Sequence, residues 1–596
     1  MKNIKNKEFP LIPILLFIFP FFKGMHDTLT VIIMAAIMIV AIIIKSRKNK
    51  CFKYSLDFNF IIILIWALSY FVSSFYAVDK GMAFLGALKM LSIPIFLLLC
   101  FQYDISEDRK KHIFKAIAYS GVFMTILSLL LAPLLKFMPN IFDSTTFQKI
   151  LNYIKSSGTW LRIGVVLLLL PFQPIPNIFT ANRLQGFFNY ANSFGIWLLV
   201  GVIILLFQKE LTKKDIASLI ILILGIVLTN SRAIIILTTL AFIVSFFFTK
   251  LNKKKYITIS LTLIAIGLSL ILLLNFININ SRLSDVTSSS EFLTRFLYYE
   301  DAITQIIKHP FGLGHQGWWT IQSTIQTGVY DCQYVHNAPL QIMLDVGIIP
   351  CLLLIVLIFK TLFDKKVTAM EKVILLFLLV HAMIDFDFEF LSIIYLIVMM
   401  PRYNIQSTSS KTPCILLWCT LAINIYFTLP ILSFEANNNE LAYTLYPNYT
   451  FALRKELLLT DDIDKKYELA TRVNKLDKYS YDIYQALYDV AIENGETEEA
   501  YNYMKKVLEA NKYSMVAYIK YLNFLETAMY EYNEAGDDEN AKLYIERIIE
   551  VEELIEKTLD ETNPLAFESN HPPLLDLPKK IQAFIDEVRE YYYETY

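Results

Sequence analysis

The chain has 596 residues, 55% of them hydrophobic, and a mean hydropathy of +0.47, which excludes an ordinary soluble protein and indicates many membrane spans. The formal net charge of −1 averages two unlike parts, because residues 433–596 hold 34 acidic and 17 basic residues, a balance of −17 against +16 for the rest. The basic residues lie in short loops between apolar runs, so the positive part does not indicate nucleic-acid binding.

Apolar runs long enough to cross a bilayer recur up to residue 432. A bilayer core of about 30 Å needs about 20 apolar residues as helix, and backbone groups in lipid must be paired within the helix. We predict an all-α polytopic membrane domain over 1–432, with about twelve or thirteen spans. The first is predicted to be a retained span rather than a signal peptide. The candidate spans are 10–23, 27–44, 58–77, 82–101, 113–137, 187–207, 215–230, 232–249, 256–277, 338–362, 371–386, 388–401 and 412–432.

Short basic loops alternate with loops almost free of Lys and Arg, and this alternation predicts the orientation. By the positive-inside rule the basic loops and the N-terminus face the cytoplasm. The 138–182 and 278–337 loops, and everything after residue 432, then lie outside. The sequence therefore predicts a multi-pass protein of the cytoplasmic (inner or plasma) membrane. The basic loops are "KSRKNK" (45–50), "EDRKKH" (107–112), "QKELTKK" (208–214), "TKLNKKK" (249–255) and "KTLFDKK" (360–366).

The acidic tail, 433–596, is predicted to form an extracytoplasmic helical domain. The segments "NGETEEAYNYMKKVLE" and "AGDDENAKLYIERIIE" align, so that Gly495 and Ala500 match Gly536 and Ala541. This pattern resembles tetratricopeptide repeats, although the 41-residue offset exceeds their usual ~34. An irregular stack of helical hairpins is an equally good interpretation. Either arrangement offers a concave surface for protein or glycan partners.

Polar residues stand at the predicted outer ends of several central spans. Ionisable groups at membrane depth are costly and mark function by default, and several guanidinium groups facing one space suit a phosphate-bearing ligand. Taken one at a time, each has a structural explanation: an Arg can reach the interface, and His336 or Asp385 can cap a helix. Together they predict a site. The candidates are Arg183, Asn192, Ser231, Arg232, Arg295, His315, Trp318, His336, Asn337 and Asp385.

The motifs around these residues follow one another in a recognisable order. Arg183 with "GFFNYAN", then "TNSRA", "RFLYYEDAITQIIKHPFGLG" and "HNAPLQIMLDVG", resemble the O-antigen ligase and polymerase family. That family has an Arg ahead of a Gly and an Asn, a Ser-Arg at a hairpin tip, an Arg-led helix ending in Pro-x-Gly-x-Gly, and a His-Asn opening a span. "DFDFEF" also resembles a late motif of the family. The resemblance covers roughly residues 180–400.

The resemblance implies a lipid-sugar glycosyltransferase of the inverting, metal-independent type, with no cofactor. Its donor would be a glycan linked to undecaprenyl pyrophosphate, transferred outside the membrane. A ligase passes the glycan to an acceptor glycolipid or protein, whereas a polymerase passes it to another lipid-linked repeat. The sequence leaves these two open, together with the sugar and its linkage.

Chemistry assigns roles to the candidate residues within that expectation. Arg183, Arg232 and Arg295 would hold the charge that develops on the pyrophosphate. His336 is predicted to take the proton of the acceptor hydroxyl or to position the acceptor, since its unperturbed pKa is about 6.5. Asn337 would orient His336 or a sugar hydroxyl. Asp385 is a competing base. His315 and Trp318 are expected to line the sugar site, and Ser231 and Asn192 to bind substrate.

The alternative prediction is a transporter or flippase of lipid-linked or anionic sugars. Such a protein should carry ionisable or helix-breaking groups near the middle of its spans. The spans are predicted to have uncharged middles, with the charges at one face, which favours chemistry at the outer surface.

Overall fold

The computed structural model describes residues 10–103, 107–142, 158–180, 182–276 and 290–596. The described chain is all-α, as the sequence predicts. Its four short strands form two antiparallel pairs, β1 (Phe52–Ser55) with β4 (Ile405–Thr408) and β2 (Phe179–Thr180) with β3 (Arg183–Leu184). Residues 143–157 and 277–289, which belong to the two predicted outer loops or their edges, lie outside the described residues.

The helices of the membrane domain differ widely in length, and most are strongly apolar. They are α1 (Leu11–Ile18), α2 (Thr28–Asn49), α3 (Phe58–Ser73), α4 (Lys80–Gln102), α5 (Glu107–Phe142), α6 (Thr159–Leu169), α7 (Ala191–Leu206), α8 (Lys213–Leu228), α9 (Arg232–Phe248), α10 (Lys253–Phe276), α11 (Ser290–Lys308), α12 (Gly317–Ile325), α13 (Ala338–Val346), α14 (Ile348–Phe363), α15 (Ala369–Ala382), α16 (Leu391–Val398) and α17 (Thr412–Glu435).

The tail contains nine further helices. They are α18 (Asn439–Leu445), α19 (Thr450–Leu457), α20 (Ile463–Asn474), α21 (Tyr481–Glu493), α22 (Thr497–Glu509), α23 (Met515–Glu534), α24 (Asp538–Asp560), α25 (Pro564–Phe567) and α26 (Lys579–Thr595).

Several long apolar helices begin at a capping aspartate. The carboxylates of Asp27, Asp57 and Asp79 accept hydrogen bonds from backbone N–H groups in the first turns of α2, α3 and α4. Such caps satisfy donors that the helix itself leaves unpaired and typically contribute about 1 kcal/mol each. The three capping aspartates explain why α2, α3 and α4 begin at these positions in the chain.

Six helices among the described residues are long and apolar enough to cross a membrane. They are Thr28–Asn49, Lys80–Gln102, Arg109–Pro133, Thr159–Asn177, Lys253–Leu273 and Thr412–Glu435. Shorter apolar helices are Leu11–Phe21, Phe58–Ser73, Ala191–Leu206, Arg232–Phe248 and Ile348–Phe363. Large apolar side chains such as Phe247, Leu261 and Leu272 are exposed on these helices, as expected of surfaces that face lipid. The protein is a polytopic all-α membrane protein.

Two predictions about individual spans are corrected by the structure. The predicted span 338–362 is broken at Gly347, which separates α13 from α14 with a φ of 89°. The predicted spans 371–386 and 388–401 are represented by α15 and α16, with 14 and 8 residues. Every residue of α16 is buried, so its apolar sequence reflects a place in the protein core.

The sequence predicts that the segment Thr159–Asn177 is part of an outer loop, but in the structure it forms α6 and two short 3₁₀ turns. Its first residue accepts a hydrogen bond from Asn438, just beyond α17, over 2.7 Å. The carbonyl of Ile178, just after its end, accepts from the backbone of Gln185 over 2.8 Å. Both ends therefore contact residues predicted to lie outside, which agrees with an apolar segment that returns to the side on which it starts.

Loops predicted to be cytoplasmic meet at one end of the membrane domain. Strand β1, after the 45–50 loop, pairs with β4. Glu371 accepts from Lys110 over 3.2 Å and from Arg402 over 2.7 Å, joining three further connections. The predicted alternation of sides is therefore consistent with the contacts, and which end faces the cytoplasm stays a prediction.

The tail is a series of antiparallel helix pairs that follows α17, at the end of the membrane domain that is predicted to face outward. The predicted boundary at residue 433 falls in the last turns of α17. Helices α21 and α22 form one pair and α23 and α24 the next, with Gly495 and Gly536 in the two turns at the same φ of 72°. Helix α23 has 20 residues against 13 in α21, which accounts for the long offset.

The first helices of the tail pack closely on the membrane domain. Thr450 donates a hydrogen bond to Asp79 over 2.7 Å, and the Tyr446 hydroxyl donates to the carbonyl of Gly81 over 3.1 Å. A Cβ atom at Gly81 would lie 1.7 Å from the carbonyl oxygen of Asn448, so only glycine permits this approach. The tail is thus held on the side that carries the start of α4.

Candidate functional site

The chain reaches the candidate site through a tight turn before α7. Strand β3 contains Arg183, and the turn that follows places Gly186 and Asn189 at positive φ, which both residue types tolerate. Arg183 Nε donates to the carbonyl of Thr229 over 3.0 Å, and Nη2 donates to Asn192 Oδ1 over 2.7 Å. The guanidinium is therefore held between the start of α7 and the hairpin that precedes α9.

A buried carboxylate, Asp385, lies at the centre of the site. The Tyr190 hydroxyl donates to its two oxygens over 3.0 and 3.1 Å, and Asn192 Nδ2 donates over 2.7 Å. The backbone N–H of Phe386 donates over 2.9 Å. The Asp385 side chain is 1% exposed, and a carboxylate this buried needs such partners. The structure thus joins the "NYAN" motif to the "DFDFEF" motif.

His336 lies against this carboxylate and remains partly accessible. Its Nδ1 is 3.6 Å from Asp385 Oδ1 and 3.5 Å from the Tyr190 hydroxyl, and its side chain is 23% exposed. Burial lowers the pKa of His336 below its usual 6.5, the Asp385 carboxylate opposes this shift, and the Arg295 guanidinium adds to it. With Nδ1 directed at Asp385, the other ring nitrogen, Nε2, is the one able to accept a proton.

Two further predicted residues hold the loop that carries Asp385. Arg295 Nη1, on α11, donates to the carbonyl of Ile384 over 2.7 Å. Asn337 Nδ2 donates to the carbonyl of Met383 over 2.9 Å, while its Oδ1 caps α13 by accepting from Leu340 N. These two hydrogen bonds therefore hold Arg295 and Asn337 beside His336 and Asp385.

The remaining arginine of the predicted set lies at the neighbouring hairpin tip. Arg232 is the first residue of α9 and is exposed, and Ser231 immediately before it is buried. The carbonyl that Arg183 contacts, that of Thr229, belongs to the same tip. The structure thus brings this tip next to Arg183.

The glycine motif after α11 packs backbone against backbone on the break between α13 and α14. The N–H groups of Leu313 and Gly314 donate to the carbonyls of Leu344 and Asp345, and Ile348 N donates to Pro310 O over 3.0 Å. Gly312 has a φ of 90°, and a Cβ there would lie 2.7 Å from the Asp345 backbone. "HPFGLG" and "DVG" are therefore two halves of one structural contact.

His315 and Trp318 lie in the interior, away from any open surface. His315 Nδ1 is 3.3 Å from Asp345 Oδ2, and Gly86 of α4 leaves room for its ring, since a Cβ would lie 2.2 Å from it. Trp318 is completely buried, and its Nε1 donates to the carbonyl of Cys332 over 3.1 Å. These positions do not support the predicted contact of either side chain with sugar.

A second group of buried polar residues corrects the prediction that the middles of the spans are uncharged. Lys89, inside α4, is 1% exposed and lies 3.0 Å from Glu389. His315 and Asp345 adjoin this pair, and Tyr70 donates to Asp345 over 3.4 Å. A buried pair of this kind needs both partners, because either charge alone is costly.

Two groups of acidic residues and histidines resemble metal ligands, but their contacts do not suit a metal ion. His315, Asp345 and Glu389 present ligand atoms within 4.8 Å of one another, but Glu389 already contacts the Lys89 ammonium, which repels a second cation. Asp385 and Asp387 are two residues apart, yet Asp387 accepts from Ser193 over 2.6 Å and pairs with His381. Among the described contacts, the two aspartates therefore face different partners.

The central part of the chain matches a known family. Residues 217–355 match the family model described as O-antigen ligase, under a quarter of the chain. The chain carries an O-antigen ligase family domain. No curated protein and no solved structure matches it. The match includes Arg232, Arg295 and His336, whereas Arg183, Asn192 and Asp385 lie outside it and join the site through the fold. The matched residues do not include the tail, so its resemblance to tetratricopeptide repeats stays a prediction.

The sequence did not single out Tyr190, Tyr298 and Tyr299 as site residues. Tyr190 bridges Asp385 and His336, and the Tyr299 hydroxyl donates to the backbone carbonyl of His336. The Tyr298 ring lies 5.9 Å from the His336 ring. The available signal was their presence inside the family-like motifs "GFFNYAN" and "RFLYYED". Tyrosine is common in this chain, with 35 residues, so composition alone could not distinguish these three from the others.

Proposed function

We propose that the protein transfers an oligosaccharide from an undecaprenyl-pyrophosphate carrier to a glycan, glycolipid or protein acceptor at the outer face of the cytoplasmic membrane. The observation that carries the proposal is the partly exposed His336 imidazole beside the buried Asp385 carboxylate, within a membrane protein that has an O-antigen ligase family domain. The proposed reaction is an inverting glycosyl transfer that needs no metal. Ligase and polymerase are two forms of this reaction that differ in the acceptor.

The acceptor hydroxyl attacks the anomeric carbon of the donor from the face opposite the pyrophosphate. Its proton passes to Nε2 of His336, the new C–O bond forms, and the bond to pyrophosphate breaks, releasing undecaprenyl pyrophosphate. Asp385, directed at Nδ1, keeps the imidazole oriented and stabilises the imidazolium that forms.

The arginines act on the leaving group. A pyrophosphate departs readily, so the protein has to hold charge rather than donate a proton. Arg183 and Arg295 have defined anchors at Asn192 and at the carbonyl of Ile384, which position them around the Asp385 loop. Arg232 at the adjacent tip is proposed to add a third guanidinium, with Ser231 and Asn192 shaping the donor site.

His336 is preferred to Asp385 as the base. Asp385 is 1% exposed and accepts from Tyr190, Asn192 and the Phe386 backbone, so its oxygens are directed inward. The His336 side chain is 23% exposed and has a ring nitrogen directed elsewhere. Asp385 is accordingly proposed as a positioning residue.

The test replaces His336 by Ala in the native host and compares surface and lipid-linked glycans. Loss of long polymer with accumulated single lipid-linked repeats supports a polymerase, and accumulated full-length lipid-linked polymer supports a ligase. His112→Ala, at an exposed histidine of α5 outside the candidate site, is the matched control and should leave both glycan pools unchanged. A stably expressed His336→Ala protein with normal glycans would overturn the role of His336.

The buried Lys89–Glu389 pair favours a second candidate, a transporter or flippase of lipid-linked sugars. The two candidates differ in their need for a membrane barrier. Purified protein in detergent micelles should transfer glycan from a lipid-pyrophosphate donor to an acceptor if it is a glycosyltransferase. A flippase forms no new glycosidic bond in micelles and moves donor only across the bilayer of a vesicle.

A further inference from the structure

A cavity of about 350 Å³ lies where the outer loop of the membrane domain meets the C-terminal helices. One wall comes from α12 and the turn after it, and the other from α19, the start of α21 and the segment before α23. Its lining includes Trp319, Gln326, Tyr330, Asp331, Phe451 and Tyr481.

The walls combine exposed aromatic rings with neutral and acidic hydrogen-bonding groups. Trp319 is 38% exposed and meets Phe451 edge-on at 5.8 Å, and Tyr481 is 46% exposed. Aromatic faces pack on the C–H faces of pyranose rings, while amides and carboxylates such as those of Gln326 and Asp331 bond to sugar hydroxyls. This combination suits a carbohydrate.

The charge at the cavity argues against a phosphate ligand. Arg454 lines the cavity, but its Nη2 pairs with Asp482 over 2.7 Å and its Nη1 lies 3.9 Å from Asp477. Its positive charge is therefore neutralised within the wall. Asp331, which is exposed, adds negative charge at the rim.

Two buried aromatic rings lie between the cavity and the candidate site. Tyr330 lines the cavity, and its ring lies 5.8 Å from that of Tyr298. The Tyr298 ring in turn lies 5.9 Å from that of His336. The cavity is therefore only two buried rings away from His336, a separation that an oligosaccharide can span along the protein surface.

The turn after α12, which forms part of one wall, is fixed both to the C-terminal domain and to α11. Asn563 N donates to the carbonyl of Thr327 over 2.8 Å, and its side chain donates to Glu300. Asp301 accepts from Thr327 and from the Tyr330 hydroxyl. A preformed cavity avoids part of the ordering cost of binding.

We propose that this junction cavity binds the sugar units of an oligosaccharide that lie beyond the unit reacting at His336. The choice of a glycan rests on the proposed function, whereas the binding itself can be measured without any transfer. The C-terminal domain is then part of the glycan-binding surface.

The test measures binding of oligosaccharides, released by mild acid from the producing cell's own surface polysaccharide, to the purified full-length protein by calorimetry. The double variant Trp319→Ala/Tyr481→Ala should bind about tenfold more weakly, or not measurably, because two aromatic contacts are removed. Tyr530→Ala, at a 53% exposed tyrosine of α23 outside the cavity, is the matched control and should bind as the unmodified protein does.

The binding measurements decide the proposal. Absence of binding to the unmodified protein, or equal binding by the folded double variant, overturns it. His336→Ala should still bind the oligosaccharide, which separates this proposal from a failure of the transfer reaction. If a saturating lipid-linked donor displaces the oligosaccharide, the cavity holds donor glycan; if the oligosaccharide stays bound, the cavity holds acceptor glycan.

Discussion

His336 and Asp385 illustrate how this protein builds its candidate site at the scale of single residues. The carboxylate has its partners in Tyr190 and Asn192, while the imidazole keeps an accessible nitrogen. A histidine with a lowered pKa is neutral at neutral pH and can accept a proton. The electrostatic balance between these two side chains should therefore be visible in the pH dependence of transfer.

The first prediction concerns that pH dependence. Transfer by the purified protein should be lost as the pH falls through the lowered pKa of His336, so the acidic limb should lie below pH 6.5. Asp385 raises this pKa, so Asp385→Asn should move the limb to a still lower pH in addition to reducing the rate by about 10²-fold or more. The kcat/KM profile of both proteins from pH 4 to pH 8 measures the shift. A limb that moves upward in Asp385→Asn would contradict this assignment.

At the scale of secondary-structure elements, short irregular segments between helices position the chemistry. The break at Gly347, the "HPFGLG" turn and the loop after α15 bring ends of α11, α13 and α15 together. Below this layer, the Lys89–Glu389 pair ties α4 to the segment that follows the Asp385 loop. The pair is buried, so removing either residue would leave the charge of the other without a partner inside the protein.

The second prediction tests that pair. Lys89→Met leaves the Glu389 carboxylate buried without its cation and should lower the free energy of unfolding by about 3–5 kcal/mol. Lys89→Met/Glu389→Gln should recover most of the loss, because no charge is left unpaired. Thermal unfolding of the purified proteins in one detergent compares them. Equal melting temperatures for Lys89→Met and the unmodified protein would show that the pair does not stabilise the fold.

At the scale of the whole molecule, the contact between the tail and the membrane domain includes an aspartate with a raised pKa. Asp79 caps α4 and accepts from Thr450 of the tail. Burial, and then the nearby Asp477, raise the pKa of Asp79 from 3.8 to about 7, against the opposing effects of its hydrogen bonds to Met82 and Thr450. Between about pH 4 and pH 7, the docked state therefore holds a proton that an undocked, solvated aspartate releases.

The third prediction follows from the sign of this shift. Docking is most stable below about pH 4, weakens as the pH rises toward 7, and is constant above that, with a change of about 2–3 kcal/mol between pH 5 and pH 8. Asp79→Asn retains a capping side chain and should remove most of this pH dependence. Asp57→Asn, at the cap of α3, should leave it in place. Melting temperatures from pH 5 to pH 8 measure the difference, and an unchanged slope in Asp79→Asn would refute the prediction.

The sequence alone determined the all-α membrane character, the motif order and the candidate arginines and histidine, because hydropathy and family-like motifs are local properties. It could not separate Trp318 and His315, which are buried, from His336, which is partly exposed, since burial depends on distant helices. The sequence did not reveal the role of Lys89. Its partner Glu389 is 300 residues away in the chain, and only the fold brings the two charges together. The pairing of Asn192 with Asp385 and the junction cavity join residues far apart in the chain, so only the tertiary structure decided them.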